Sequence, residues 1–242
     1  METSVRPSIS IVMPAYNEKD NIEQAVRSAY SVLGDTCDDY EIIIVDDGST
    51  DGTSEILDKL TEQMPNLRVI HHGTNCKFGR TLRDGIAAAR KGLVFLTDSD
   101  NPIDMEDMKK AIPLMKEYDF VNGRRLAREP SVKRIIYTAV YNMMIRALFG
   151  LTVHDVNFSY KMIKRELLQK MNLHSNGSFI DAEMLIEAKR LGARICEINI
   201  MYYPRVLGES TLASPSVIIK ILYEMLIYIL RRILHLNRSP KS

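Results

Sequence analysis

Short apolar runs alternate with helix-like segments through the first hundred residues of this 242-residue chain. Runs at residues 8–13, 41–45, 67–71 and 93–96 have the length and the flanking turn residues of buried strands. The segments between them have the length of helices, and several begin at a residue that caps helices well. Strands and helices that alternate in this way fold into a parallel sheet with right-handed crossovers. The sequence therefore predicts an α/β fold with a doubly wound, mostly parallel sheet.

The second half continues this pattern less regularly. It predicts strands at residues 119–121 and 195–202 and helices at 131–151 and 182–190. A chain of this length holds one domain of this kind with an appendage. We expect the domain to occupy residues 1–212 and a C-terminal amphipathic helix with its tail to occupy residues 213–242.

Charge and cysteine content exclude two broad classes of protein. The chain has 32 Lys and Arg residues against 31 Asp and Glu residues, a net charge of +1, so no basic excess is available for nucleic-acid phosphates. Cys37, Cys76 and Cys196 lie far apart in the sequence and match neither a disulfide framework nor a zinc motif. We therefore expect no nucleic-acid partner and a reducing, cytoplasmic location.

Two aspartates, Asp98 and Asp100, follow the fourth predicted strand directly. In open α/β sheets, ligands bind just outside the carboxyl ends of the strands. Two hard oxygen ligands so close together suit Mg²⁺ or Mn²⁺, which takes the rest of its coordination from water and phosphate oxygens. A polar turn before a helix has the same composition, so the other strand ends must decide between the two interpretations.

Two further strand ends carry polar loops. The first strand ends in Pro-Ala-Tyr-Asn-Glu, residues 14–18, and the second ends in Val-Asp-Asp-Gly-Ser-Thr-Asp-Gly-Thr, residues 45–53. In a parallel sheet these loops and the Asp-x-Asp turn lie at the same edge. An aspartate there can accept hydrogen bonds from ribose or base groups, and Gly48 and Gly52 allow a ligand close to the backbone.

Taken together and in this order, the three motifs resemble those of the family 2 glycosyltransferases, which have the Rossmann-like GT-A fold and transfer a sugar from a nucleotide-sugar. The resemblance implies that Asp98 and Asp100 hold Mg²⁺ or Mn²⁺ on the donor diphosphate. It also implies that four residues line the nucleotide: Pro14, Tyr16, Glu18 and Asp47.

The second half resembles the polyprenyl-phosphate branch of that family, which includes the dolichol-phosphate mannose synthases. The resemblance is carried by the Gly123-Arg124 turn, the pair Arg134 and Thr138, the loop at 155–158, and the Arg-x-x-Gly-x-Ser run at 205–210. It implies a dolichyl or polyprenyl phosphate acceptor, and bidentate contacts to phosphate give arginines a physical role there. The acceptor-phosphate residues implied are Arg124, Arg134, Thr138, Arg205 and Ser210, and the three arginines are also the implied catalytic residues beside Asp98 and Asp100.

The chain departs from the pattern of that branch at three places. The loop at 155–158 lacks the usual Ser-Gly pair, Pro102 replaces a glutamine after the metal aspartates, and Thr211 replaces a lysine after Ser210. The alternatives that remain are a family 2 enzyme acting on a hydroxyl acceptor with Asp155 as general base, an Asp-x-Asp phosphatase, and a nucleotide-sugar-binding module without turnover.

In the largely apolar C-terminal stretch at residues 217–236, polar residues recur every three or four positions as a narrow stripe: Lys220, Glu224, Tyr228, Arg231 and His235. Its uninterrupted apolar part is shorter than the roughly 20 residues that span a bilayer. We therefore predict a helix that lies in the membrane interface, which makes the protein peripheral on the cytoplasmic face. The alternative is that the helix packs on the domain or on a second copy of the chain.

Overall fold

The computed structural model describes residues 6–100, 103–126, 132–203 and 223–231, and within it the backbone alone of residues 132–138. In these residues, seven strands form a single sheet in the order β3-β2-β1-β4-β6-β5-β7. The strands are β1 Ser8–Ala15, β2 Asp39–Asp46, β3 Leu67–His71, β4 Leu93–Thr97, β5 Phe120–Arg125, β6 Tyr160–Lys164 and β7 Ile195–Ile200.

Helices connect most of these strands. They are α1 Ile22–Thr36, α2 Thr53–Gln63, α3 Phe78–Ala88, α4 Val132–Phe149, α5 Arg165–Leu168 and α6 Ile180–Arg190. Two 3₁₀ helices, Met105–Lys110 and Ile112–Lys116, follow β4. Residues 223–231 are helical as well.

One strand runs against the others. β6 is antiparallel to both of its neighbours, β4 and β5, whereas the remaining strand pairs of the described sheet are parallel. The predicted mostly parallel α/β fold is confirmed, although the sequence did not predict β6. Because β6 reverses between two strands, β5 and β7 keep the direction of β4. The carboxyl ends of the six parallel strands therefore lie at one edge, together with the amino end of β6.

Both faces of the sheet are covered, which explains why the strands are almost uniformly apolar. Ile11 and Met13 belong to a core with α1, α2 and the 3₁₀ helices, and Val12 between them belongs to a second core with α3, α4 and α6. α3 lies very close to β1, since a Cβ added to Gly85 would be 2.4 Å from Val12 Cγ1. The edge that carries the polar loops is thus held on a rigid, two-sided core.

The helical residues 223–231 pack on the domain through two polar side chains, Glu224 and Tyr228. The buried Tyr228 donates its hydroxyl hydrogen to Glu187 Oε1 at 2.9 Å, and Glu224 accepts from the backbone amide of Gly177 at 2.7 Å. Tyr223, Leu226 and Leu230 are exposed. Two members of the predicted polar stripe, Glu224 and Tyr228, therefore face the protein, as the packing alternative predicted, whereas Arg231 is exposed together with the apolar side chains. Among the described residues, no helix combines the length and the apolarity needed to cross a bilayer.

Candidate functional site

The first two motif loops are joined by hydrogen bonds between backbone and side chains. The amide of Asn17 donates to Ser49 Oγ at 2.9 Å, and the amide of Thr50 donates back to Asn17 Oδ1 at 2.8 Å. The amide of Glu18 donates to Thr53 Oγ1 at 2.9 Å. Asn17 has a φ of 55°, a conformation that asparagine tolerates better than most residues. The loops after β1 and β2 thus form one unit at the carboxyl edge of the sheet.

Asp47 fixes a third loop against these two. Its carboxylate accepts from the backbone amides of Cys76 at 2.7 Å and Lys77 at 3.0 Å, in the loop that follows β3. Gly48 lets the loops approach, since its φ is 74° and an added Cβ would be 2.8 Å from the carbonyl carbon of Thr74. Tyr16 is half-exposed at this edge and Glu18 is buried. The residues predicted to line the nucleotide therefore lie together, and their role remains a prediction.

The Asp-x-Asp turn after β4 is attached to the same unit. The Ser99 hydroxyl donates to the backbone carbonyl of Pro14 at 2.9 Å. Asp98 accepts a hydrogen bond from Ser159, in the loop before β6. Burial and the neighbouring charge of Asp100 nevertheless raise the pKa of Asp98 to about 7. The predicted convergence of the three motifs at one edge is confirmed.

This charge arrangement fits a divalent cation. Two carboxylates lie one residue apart, partly buried, and a third, Asp181, adds its negative charge to the field at Asp98. Lys161 opposes that field with a single positive charge. The local excess of negative charge and the oxygen-only donors Asp98 and Asp100 match the preferences of Mg²⁺ and Mn²⁺.

A buried ion pair lies beside these aspartates. Lys161, on β6, is only 1% exposed, and its Nζ lies 2.8 Å from Oδ1 of Asp181, in the first turn of α6. In the β4–β6 ladder, Lys161 pairs with Leu96. Leu96 lies two residues before Asp98, so Lys161 is close to the Asp-x-Asp turn. The ion pair thus connects β6, the strand next to the one that leads into Asp98, to α6.

Arg125 and Asp155 form a second buried pair. Arg125 Nε and Nη2 donate to the two carboxylate oxygens of Asp155, both at 2.8 Å, and the guanidinium lies over the rings of Phe158 and Tyr202. Burial alone would raise the pKa of Asp155, but the hydrogen bonds from Arg125 hold it below the usual value. Because Asp155 is 1% exposed and both of its carboxylate oxygens accept from Arg125, the geometry opposes Asp155 as a general base for a hydroxyl acceptor.

Arg124, the residue named from the sequence, has a different environment. It lines a surface cavity of about 320 Å³ with Thr152, His154 and Glu197, beside β7. Arg125 interacts electrostatically with Asp98, whereas the cavity that Arg124 lines contains neither aspartate of the Asp-x-Asp turn. The backbone of Arg134 and Thr138 lies in α4, and their side chains lie outside the described part, as do Arg205 and Ser210 entirely.

Sequence reasoning missed Lys161, Asp181 and Arg125. A lysine inside an otherwise apolar run, Tyr-Lys-Met-Ile-Lys, was the only available sign of the first, and an acidic residue at a helix start is too common to mark the second. Arg125 follows Arg124 directly on β5, and their side chains differ in surroundings because successive strand residues point to opposite faces of the sheet.

The comparison with protein families decides between the remaining classes. The model of the family described as "Glycosyl transferase family 2" matches residues 10–171. The chain belongs to glycosyl transferase family 2. The resemblance inferred from the three motifs is confirmed, and the phosphatase alternative is wrong. The matched segment of this family 2 glycosyltransferase contains every loop of the site described above up to Ser159.

Three curated relatives of this chain have sequence identities between 26% and 29%. Glycosyltransferase AglD of Haloferax volcanii is 29% identical over 214 residues, which cover 84% of this chain and 34% of AglD. Undecaprenyl-phosphate 4-deoxy-4-formamido-L-arabinose transferase of Serratia proteamaculans is 27% identical over 90% of this chain and 66% of that protein. Polyprenol monophosphomannose synthase of Mycolicibacterium smegmatis is 26% identical over 88% of this chain and 85% of that protein. This family 2 chain thus spans about a third of the length of AglD and just under two thirds of the arabinose transferase.

A solved structure of similar fold is glucosyl-3-phosphoglycerate synthase from Mycobacterium tuberculosis, in complex with Mn²⁺, UDP and glucosyl-3-phosphoglycerate. It is 25% identical to this family 2 chain, with a TM-score of 0.66, over 90% of this chain and 80% of that one. The predicted GT-A-like α/β architecture is confirmed by this similarity.

Proposed function

We propose that this chain catalyses the metal-dependent, inverting transfer of a hexosyl group from a nucleotide-sugar to dolichyl or polyprenyl phosphate. GDP-mannose is the favoured donor, and a UDP-sugar is the second choice. The observation that carries the proposal is the junction of three loops at one sheet edge, where Ser99 ties the Asp98–Asp100 turn to Pro14 and the Pro14–Glu18 loop is tied to the Asp47 loop. Two of the relatives have undecaprenyl-phosphate and polyprenol monophosphomannose in their names.

A phosphate acceptor suits this site because it needs little help from a base. The second pKa of a phosphate monoester is about 6, so the acceptor is mostly a dianion at neutral pH and is already nucleophilic. Asp155, the base that a hydroxyl acceptor would have used, is held by Arg125. One displacement at the anomeric carbon forms the new bond from the phosphate oxygen and breaks the bond to the nucleotide diphosphate, which inverts the configuration.

Asp98 and Asp100 would hold the Mg²⁺ or Mn²⁺ ion, which neutralises charge on the leaving diphosphate when it is bound. Pro14, Tyr16, Glu18 and Asp47 are proposed to contact the nucleotide. The proposed acceptor-phosphate residues are Arg124, Arg134, Thr138, Arg205 and Ser210. The positive charges of the three arginines and the hydroxyl groups of Thr138 and Ser210 would orient the dianion, and positioning of this kind accounts for much of the rate in reactions that need no base.

The test is transfer from a panel of radiolabelled nucleotide-sugars to a polyprenyl phosphate, read as lipid-soluble label. We expect GDP-mannose to give the highest rate. Free polyprenol should be a poorer acceptor by about tenfold or more, because it lacks the charge-assisted contacts, each worth about 1.5–3 kcal/mol. Equal rates with polyprenol and its phosphate would contradict the acceptor, and lipid-soluble label from none of the donors would contradict the proposed function.

A lipid acceptor requires contact with a membrane, and we propose that the protein is peripheral on its cytoplasmic face. α4 and residues 223–231 meet through the rings of Phe149 and Tyr228. Both helices carry exposed apolar side chains on their outer surfaces: Val140, Met143 and Leu148 on α4, and Tyr223, Leu226 and Leu230 on the C-terminal segment. Two neighbouring helices with exposed apolar residues favour a membrane over a second copy of the chain as the partner.

We expect the double variant Leu226→Glu/Leu230→Glu to lower binding to anionic liposomes by roughly a hundredfold. Each leucine would contribute about 1.5 kcal/mol or more of apolar burial, and a carboxylate repels the surface. Co-sedimentation measures the effect, and Gln63→Glu, on the exposed surface of α2, is the matched control. Unchanged binding of the double variant would remove this surface from the proposal.

A further inference from the structure

The His72 side chain lies between two carboxylates at the start of the loop after β3. Its Nδ1 is 2.8 Å from Oδ1 of Asp47, and its Nε2 is 3.2 Å from Oδ2 of Asp84. A neutral imidazole has one N–H, so it can donate to only one of these oxygens. The other ring nitrogen then faces a carboxylate with its lone pair. A metal ion bound at that nitrogen would place a positive charge between the ring and the carboxylate.

A sulfur ligand, the Sγ atom of Cys76, lies near His72 and Asp47. One ligand atom from each of Asp47, His72 and Cys76 can be chosen so that all three lie within 4.8 Å of one another. The ligands of a tetrahedral zinc ion, at bond lengths of about 2.0–2.3 Å, lie roughly 3–4 Å apart, so small side-chain movements would complete the geometry. Cys76 is exposed and free, which leaves the open side of the cluster accessible to an ion.

The surroundings of the cluster already hold two of its members in place. Asp47 is buried and oriented by the amides of Cys76 and Lys77. Oδ2 of Asp84 lies 3.2 Å from Nε2 of His72 and 2.7 Å from Nε of Arg80. A histidine that binds a metal through one nitrogen usually donates its other N–H to a carboxylate, which fixes the ring and its tautomer. Asp84 is in the right position to accept from Nε2–H while Nδ1 binds the ion.

We propose that Asp47, His72 and Cys76 form a second cation site, specific for borderline or soft divalent metals of the zinc class, with solvent as the fourth ligand. The sulfur and nitrogen donors give this site a different metal preference from that of Asp98 and Asp100, whose oxygens prefer Mg²⁺ or Mn²⁺. Binding releases the thiol proton of Cys76 and any proton on Nδ1 of His72. One consequence rests on the proposed function: because Asp47 is proposed to contact the nucleotide, a bound zinc ion would compete with the donor.

The test of the site uses Co²⁺, whose thiolate and tetrahedral absorption bands report on the ligands. We expect one Co²⁺ at this second site to give a thiolate band that Zn²⁺ abolishes. Cys76→Ser should lose the thiolate band, and His72→Gln should weaken Co²⁺ binding at least about tenfold. Cys196→Ser and Asp98→Asn are the matched controls and should keep the band.

Three outcomes would overturn the site: a band that survives Cys76→Ser, a band that is lost in Cys196→Ser, and the absence of any band in the parent. Since Cys76 is exposed, its variant should fold normally, and circular dichroism checks this.

A second measurement separates this site from the proposed function. GDP or UDP is added to the Co²⁺-loaded protein, and the expected result is loss of the thiolate band. A band that forms as expected but resists both nucleotides keeps the metal site and contradicts the nucleotide role of Asp47. Active transfer in a protein that shows no thiolate band keeps the proposed function and rejects the zinc-class site.

Discussion

Asparagine in place of Asp98 is expected to lower kcat about a thousandfold or more and yet to leave the metal-free protein at least as stable as the parent at about pH 8. The loss of rate follows from the loss of a metal ligand, since a bound metal supplies several kcal/mol of charge stabilisation to the leaving group and each 1.36 kcal/mol is about tenfold in rate. The effect on stability follows from electrostatics, because burial and the nearby charge of Asp100 destabilise the ionised carboxylate of Asp98.

The sign of the pH dependence can be derived from the raised pKa. An unfolded aspartate ionises near about pH 3.9, whereas the folded Asp98 ionises with a pKa of about 7. The folded state therefore binds more protons than the unfolded state between these values, and the parent loses stability as pH rises through that range. The amide of the Asp98→Asn variant cannot ionise. The free energy of unfolding of the variant should therefore equal that of the parent below about pH 4, exceed it increasingly up to about pH 7, and exceed it by a constant amount above.

The transfer assay measures the loss of rate, and thermal melting at a series of pH values between about 4 and 8 measures the change in stability. Melting with and without Mn²⁺ tests the metal site. A ligand that binds only the folded state raises its stability, so Mn²⁺ should raise the melting temperature of the parent and have little effect on Asp98→Asn. Asp35→Asn, at an exposed position of α1, is the matched control and should change stability by less than about 0.5 kcal/mol. An Asp98→Asn protein that is still stabilised by Mn²⁺ to the parental extent would mean that the ion binds elsewhere.

The position of this site could be predicted from the sequence because its main parts are local. Each motif follows an apolar run directly, and parallel strands bring such positions to one edge whatever the details of packing. The loops after β1, β2 and β4 therefore had to meet. Even the hydrogen bond from Ser99 to Pro14, across 85 residues, follows once β1 and β4 are neighbours in the sheet.

The features of the site that could not be predicted from the sequence depend on the position of β6, on the register of β5 and on ion pairs between distant residues. β6 carries Lys161 inside an apolar run, and a lysine is tolerated there only because Asp181, twenty residues further on, reaches it from α6. The choice between Arg124 and Arg125 has the same origin. Neighbouring strand residues point to opposite faces, so the register of β5 decides which guanidinium meets Asp155 and which lines the cavity beside β7.

The buried pair of Lys161 and Asp181 gives the second large prediction. Lys161→Met is expected to lower the free energy of unfolding by about 3–5 kcal/mol, because it leaves the Asp181 carboxylate buried without its partner. Lys161→Met/Asp181→Asn should recover much of this loss, since replacing both members of a buried pair removes the unpaired charge. Urea denaturation of the parent, both single variants and the double variant measures the coupling as a double-mutant cycle.

Lys164→Met is the control that separates burial from charge. Lys164 lies on the same strand and pairs with Asp119 at 2.7 Å, but both side chains are about a quarter exposed. Water screens that pair, so its loss should cost about 1 kcal/mol or less. If Lys161→Met costs no more than Lys164→Met, or if Asp181→Asn gives no recovery, then Lys161 is not held by Asp181 in solution. A large coupling would mean that this pair ties α6 to the strand beside Asp98, so that the aspartates are held in position by an ion pair outside every motif of the sequence.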